Sequence, residues 1–355
     1  MKRAYICHTY YHVYVALLKE LNRGKSHYGE ATLILSTMSN NFGNLDKRAI
    51  ASGVFENVLM MEEKEDICFP EVMKYHQDKG NLFLNLLQRI KYTKMLGKAQ
   101  EPYIPVDLKS FDDVYVFCDS DPIGYYLNYK KIKYHALEDG LNSVLLDDQA
   151  RNSNRGAFGL KCFMARLGLI FIENGYSRYC IDFIVNDLKA NPNPPKNIRE
   201  ESFDSMFDRL SEEDHDIIVN IFLENPAPLC RTLDAGNYEK PCVMILTEPL
   251  CELDVRKQLF GDIVKKYDNE YTVIIKPHPR DLLDYEKEFP DSVVIRDRFP
   301  MEVMNNIKGL RVAKLISVIT QVNGIRFADK IEYLGLDFLD IYEEPSVHRQ
   351  ELRVV

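Results

Sequence analysis

The chain has 355 residues, 46% of them hydrophobic and 28% charged, so it can bury a full core without disulfide or metal staples. A formal net charge of -9 argues against nucleic acid as the main partner, because a phosphate backbone needs a basic face. The eight cysteines (Cys7, Cys68, Cys118, Cys162, Cys180, Cys230, Cys242 and Cys251) show no CxxC spacing, which reads as free thiols in a reducing compartment rather than a disulfide framework or a zinc site.

The opening stretch MKRAYICHTYYHVYVALLKEL is interrupted by His8, Thr9, His12 and Lys19, so it lacks the continuous apolar core of a signal peptide. It reads instead as a strand over 3–7, a turn, and an amphipathic helix over 11–21. Further apolar strands are expected at 31–36, 54–61, 114–118 and 132–136, with helices between them. Strands alternating with helices imply a parallel sheet covered on both faces. Residues 81–98 and 156–181 mix apolar and basic side chains. Each reads as a core-facing helix with a solvated basic edge, or as a surface resting on an anionic membrane. No segment reaches the roughly 20 apolar residues of a membrane span. The expectation is a cytoplasmic protein, with peripheral contact at the inner face of the plasma membrane left open.

Between 187 and 240 the character changes: ANPNPPKN is a Pro/Asn linker and DRLSEEDHD an acidic helix start. A second alternating unit follows, with strands at 241–246, 271–275, 292–295 and 314–319. The expected organisation is an α/β protein of two Rossmann-like, doubly wound domains facing across a cleft. Its parts are an N-terminal acceptor-side domain over 1–190, a linker and helical connection over 191–240, and a C-terminal nucleotide-binding domain over 241–355.

Four short stretches carry candidate chemistry. Lys276-Pro277-His278-Pro279-Arg280 follows an apolar strand, where open α/β sheets bind ligands; two prolines fix the backbone around His278, and flanking cations suit a phosphate oxygen. The plainer reading is a solvated turn histidine. Glu138-Asp139-Gly140 puts two carboxylates on a turn at a strand end, where one can take a proton from a hydroxyl; alone it is an ordinary acidic turn. Phe299-Pro300-Met301-Glu302 is either helix-entry chemistry or a ribose-binding carboxylate beside base-reading backbone. Ser317-Val318-Ile319-Thr320-Gln321 ends a strand with hydroxyls, and free amides at a following helix N-terminus would make an anion site there.

Taken in order, the acidic-Gly turn, KPHP, FPxE and the hydroxyl-rich strand end resemble the pattern of bacterial sialyltransferases, in particular those of glycosyltransferase family 52 that act on lipooligosaccharide and capsule, and the related polysialyltransferases and marine-type enzymes. The opening ICHTYYHVY, VYVFCDSDPIGYYL over 114–127 and ILTEPL over 245–250 also look like segments of that family, so the likeness covers most of the chain. The resemblance implies a GT-B fold in which the C-terminal domain binds CMP. His278 would meet the departing phosphate, together with Lys276 and with Ser317, Thr320 or Gln321. Glu302 would hold the ribose, and the backbone near Pro279 and Met301 would read cytosine. Asp139 would be the general base, with Asp254 the second choice. The donor would be CMP-sialic acid and the acceptor a glycan hydroxyl, with galactose the usual target; no nucleic acid is implied, and a homodimer is open. Thr320-Gln321 departs from the paired hydroxyls usual at the phosphate site.

Transfer from a CMP ester suits such a site. The leaving group is already a phosphate monoester, so a histidine, hydroxyls and amides can receive it without a divalent cation. Asp119-Ser120-Asp121 matches a DxD metal motif in letters only and reads as acceptor-side or structural. Direct displacement would invert the donor's anomeric centre. The competing readings are a glycosyltransferase or epimerase using a UDP-sugar, and a carbohydrate-binding protein without turnover.

Overall fold

The structure is a computed structural model that describes residues 1–38, 40–139, 149–188, 195, 197–279, 281–320, 322 and 324–344. The chain divides into two compact units, Met1–Ser211 and Glu212–Val355. The first holds strands β1 (Arg3–Cys7), β2 (Ala31–Ser36), β3 (Phe55–Met61), β4 (Asp113–Phe117), β5 (Tyr134–Leu137), β6 (Cys180–Val185) and β7 (Ile198–Glu200). They lie in the order β3-β2-β1-β4-β5-β6-β7, every pairing parallel. The second unit holds β8 (Cys242–Leu246), β9 (Thr272–Lys276), β10 (Val293–Val294), β11 (Val312–Ser317) and β12 (Ala328–Tyr333), ordered β10-β9-β8-β11-β12 and again all parallel.

Central strands of a parallel sheet are covered on both faces, so they must be apolar throughout. RAYIC of β1, ATLILS of β2 and CVMIL of β8 are buried at every residue. Arg3 is the exception in chemistry: its buried guanidinium is held by Glu20 at 2.8 Å and Glu30 at 2.9 Å. The helix Tyr10–Leu21 returns over the sheet after β1, one residue earlier than its periodicity suggests. The helix Pro122–Lys130 approaches the loop after β4 so closely that a Cβ on Gly124 would lie 1.9 Å from the carbonyl oxygen of Asp119.

Residues 191–240, expected as one connection, are divided between the units. β7 and the helix Phe203–Phe207 belong with the first, because β7 pairs with β6; the acidic-start helix Glu212–Phe222 opens the second. Of the 190–197 linker only Pro195 and Asn197 are among the described residues. The stretch 156–181 is not one helix: it is helical over Phe158–Arg166, and Gly168, at φ 72°, turns the chain away. The motif at 299–302 opens a 3-10 turn, Met301–Asn306, rather than an α-helix. No helix among the described residues is long and apolar enough to cross a membrane.

Candidate active site

In each sheet the direction of winding reverses at one place, between β1 and β4 in the first and between β8 and β11 in the second. Neighbouring loops diverge there and leave a crevice outside the carboxyl ends of the strands. Both crevices are lined by polar side chains, and each is described within its own unit.

After β1 come His8 and His12, after β3 Glu63, after β4 Cys118, Asp119 and Asp121, and after β5 Glu138 and Asp139. Thr9 caps the helix Tyr10–Leu21, and His12 completes a capping box in the place usually held by Glu or Gln. To do so its Nδ1 accepts the backbone N–H groups of His8, at 3.0 Å, and Thr9, at 3.3 Å. Nδ1 therefore carries no hydrogen, and the ring's single proton sits on Nε2. That Nε2–H donates to Oδ1 of Asp139 at 2.5 Å. The imidazole is fully buried and stacked on Phe117 with centroids 4.4 Å apart, whereas the Asp139 side chain is 47% exposed. Burial pulls the Asp139 carboxyl up, but the bond and charge of His12, the bond from the Cys118 thiol and the charge of His8 together outweigh it, so the group stays below the ordinary carboxylate value. Burial drives His12 the other way and keeps it neutral.

His8 is held differently. Its Nε2–H donates to Glu63 at 2.8 Å, and Glu63 also accepts the Ser36 hydroxyl at 2.9 Å and the Ile123 amide at 2.6 Å. Burial favours the neutral ring, but Glu63 and then Asp121 prevail, and the His8 value rises. Asp119 turns inward, accepting Tyr134 Oη–H at 2.8 Å and the Asn174 amide at 2.9 Å; burial lifts it to about 7. The first Asp of the DxD letters is thus a buried anchor, and the second, Asp121, stands at the N-cap position before Pro122 without a side-chain capping bond. Glu138 is buried and is likewise pushed up to about 7. Gly140, the last letter of the acidic-Gly motif, lies outside the described residues.

Among the described residues, His8, His12 and Cys118 bring possible ligand atoms within 4.8 Å of one another. The protonation pattern weighs against a cation. His12 has its lone pair committed to two backbone N–H groups and its proton committed to Asp139, so it offers no ligand lone pair.

In the second unit His278 follows β9 on a turn whose rigidity comes from Asp281, a residue the motif reading missed. Asp281 accepts the Thr247 hydroxyl, the Tyr285 hydroxyl and an Arg256 N–H, each at 2.7 Å. Arg256 in turn donates to the carbonyls of Leu250 and Cys251, tying the loop after β8 to the turn after β9. Thr247 Oγ accepts the His278 amide at 3.2 Å, so the histidine backbone is anchored to the same network. The half-buried His278 lines a cavity of about 230 Å³ with Pro277, Tyr285 and Arg298. An acid three residues after the histidine was the available signal for Asp281.

The other predicted residues fall as follows. Lys276 is buried, its Nζ 4.2 Å from the Phe299 ring centroid, and desolvation lowers it to about 7. The charges of Asp297 and then of half-buried Glu302 act on it in the opposite sense, and Glu302 is itself raised by burial. Pro279 and Met301 are half-buried. Asp254 is exposed on the first turn of the helix Leu253–Tyr267, apart from the hydrogen-bonded set around His278, where a carboxylate favours the helix dipole. Gln321 and Arg280 lie outside the described residues. The Ser317–Thr320 turn differs from expectation. The next element among the described residues is the strand β12 rather than a helix, and its amides are taken: Glu248, after β8, accepts N–H of Ile319 at 3.1 Å and of Thr320. Ser317 Oγ–H donates to the Thr320 carbonyl at 2.7 Å. An anion does bind this turn, and it is the chain's own carboxylate, which burial raises above its usual value.

Two doubly wound parallel sheets, each with its polar groups at the switch point, define the GT-B class of glycosyltransferase folds. The profile of glycosyltransferase family 52 matches residues 58–325, and the chain belongs to that family. It is similar in fold to the α/β-galactoside α-2,3-sialyltransferase of Photobacterium phosphoreum (TM-score 0.53, 11% identity, 93% of this chain and 89% of that one). A sialyltransferase GT-B domain from Photobacterium damselae gives a TM-score of 0.47 at 11% identity over 90% and 86%. An uncharacterized protein of Haemophilus influenzae is 30% identical over 100 residues, which span 26% of this chain and 31% of that relative.

Proposed function

We propose that the protein is an inverting, metal-independent sialyltransferase that moves sialic acid from CMP-sialic acid to a glycan hydroxyl, with galactose as the acceptor sugar. The observation that carries the reading is the His12–Asp139 pair: a half-exposed carboxylate at a sheet switch point, held ionised and aimed by a buried neutral imidazole. Asp139 takes the proton of the acceptor hydroxyl as its oxygen attacks the anomeric carbon. The bond to the CMP phosphate breaks as that bond forms, and the electron pair leaves on the phosphate oxygen. His278 donates a hydrogen bond or a proton to that oxygen, with Lys276 and the Ser317–Thr320 turn as further phosphate partners. Glu302 holds the ribose, and the backbone at Pro279 and Met301 reads the base.

The test is transfer from CMP-sialic acid to a galactose-terminated acceptor in the presence of EDTA, with calorimetric binding of CMP and UDP. CMP should bind in preference to UDP, and turnover should survive EDTA. His278→Ala should lower turnover about 10²–10⁴-fold. A preference for UDP, or no nucleotide binding, would overturn the donor assignment; loss of turnover in EDTA would overturn metal independence.

A further inference from the structure

Among the described residues, five that are not glycine have a left-handed backbone: Cys118, Lys131, Ala157, Asn174 and Cys251. Lys131 and Ala157 stand at helix ends, and asparagine enters this conformation readily. Cys118, at φ 52°, is the first residue after β4, at the switch point of the first sheet. A Cβ is disfavoured there, and glycine is the residue such a backbone prefers. The conformation persists only where its surroundings hold it. Here they do. The Cys118 carbonyl accepts the Asp121 amide at 3.0 Å, Asp119 is drawn inward by Tyr134 and the Asn174 amide, and Glu63 holds the Ile123 amide.

The residue in this unfavourable place carries a thiol, and the thiol has a partner. Phe117 pairs with Leu137, so the residues after β4 and β5 run side by side. The Cys118 Sγ–H donates to the Asp139 carboxylate. Burial, then the charges of Asp139 and Asp121, push the thiol well above its ordinary value. It therefore keeps its proton, which makes it a donor and rules it out as a nucleophile, a role that needs the thiolate. The bond from His12 Nε2 sets one distance to Asp139 and leaves the carboxylate free to pivot about it. A second donor, arriving from a different strand end, removes that freedom.

We propose that Cys118 is a positioning residue for Asp139, and that the left-handed backbone at Cys118 is retained because it aims the thiol. His12 and Cys118 then grip the carboxylate from two sides and fix the direction in which it meets the acceptor hydroxyl. Glycine would relax the backbone and leave Asp139 with one grip. The inference rests on the reading of Asp139 as the base.

The experiment compares Cys118→Gly, Cys118→Ala, Cys118→Ser and Asp139→Asn with the wild type. In the infrared, subtracting the spectrum of Cys118→Ala from that of the wild type isolates the S–H stretch of Cys118. The same subtraction in the Asp139→Asn background should show that band moved to higher frequency, because a neutral amide accepts more weakly than a carboxylate. In Cys118→Gly and Cys118→Ala, kcat should fall about tenfold and the acid limb of the kcat–pH profile should rise by about half a unit. The Michaelis constant for CMP-sialic acid should hold. Cys118→Gly should melt no lower than Cys118→Ala, so a role in backbone shape alone would leave the glycine variant with full turnover. Serine restores a donor, and kcat should return to within about threefold of the wild type. An S–H band that Asp139→Asn does not move, wild-type kcat in the glycine and alanine variants, or a serine variant no better than alanine overturns the proposal. A band that moves while Asp139→Asn keeps wild-type turnover overturns the reading of Asp139 as the base, and the positioning role with it.

Discussion

Replacing His12 with glutamine separates two roles that one ring performs. Glutamine is a usual capping-box partner, so its side-chain oxygen can take over the N–H groups that Nδ1 now accepts and keep the helix start intact. It cannot also reach Asp139, so the 2.5 Å bond is lost. A hydrogen bond to a charged group contributes about 1.5–3 kcal/mol. At about 1.4 kcal/mol per pH unit, the Asp139 value should rise by about one to two units once burial is opposed only by the Cys118 thiol and the charge of His8. The carboxylate must be ionised to accept a proton, so the acid limb of the kcat–pH profile should move to higher pH by the same amount. A base released from its aimed position should also cost about a hundredfold in kcat. The Michaelis constant for CMP-sialic acid should hold, because the donor's CMP is assigned to residues of the other unit. Loss of the ring stack on Phe117 removes only about 0.5–1.5 kcal/mol of stability. The assay is a kcat–pH profile of His12→Gln beside wild type, with melting curves as the fold control. An unchanged acid limb with wild-type kcat in a folded variant would refute the pairing as a device of catalysis.

Other expectations follow from the second unit and from the close approach at Gly124. Arg256→Met leaves Asp281 buried without its cation, which should cost about 3–5 kcal/mol in urea unfolding and loosen the His278 turn, so that turnover falls even where the protein remains folded. If the donor phosphate binds at the Ser317–Thr320 turn as proposed, it competes with Glu248 for the same amides; the Glu248 value is raised by burial, and protonation at lower pH frees those amides, so CMP affinity should rise as pH falls. Glu248→Gln should bind CMP more tightly at neutral pH than wild type, and weaker calorimetric binding would count against the competition. Gly124→Ala forces a methyl group into the Asp119 carbonyl, and overpacking of that kind should lower stability by about 1–3 kcal/mol, read by thermal melting.

The parts legible in the sequence are those that sequence periodicity encodes. β1, β2, β8 and β9 are short runs of buried apolar side chains, and their strand character follows from composition alone. β12, ADKIEY, pairs on one side only and alternates with charges, so it reads as surface. β7 has three residues, two of them exposed, and gives no pattern. The expected site residues cluster at strand ends because a doubly wound sheet puts its loops there. What sequence cannot show is which loop residues meet. His12 and Asp139 are 127 positions apart, and His12 looked only like an interruption in an apolar run. Glu248 sits 71 positions before the amides it occupies, and nothing local says that the turn brings its own anion.

The strand order of the first sheet also bears on how the chain is made. β1 is central, yet its second neighbour, β4, begins at Asp113, long after β1 and β2 have paired. Until that segment leaves the ribosome, a strand that ends up buried at every residue presents an open row of amides and carbonyls to any other nascent chain. Slow synthesis through residues 37–112 should therefore lower soluble yield, and a holdase chaperone should help most during that interval.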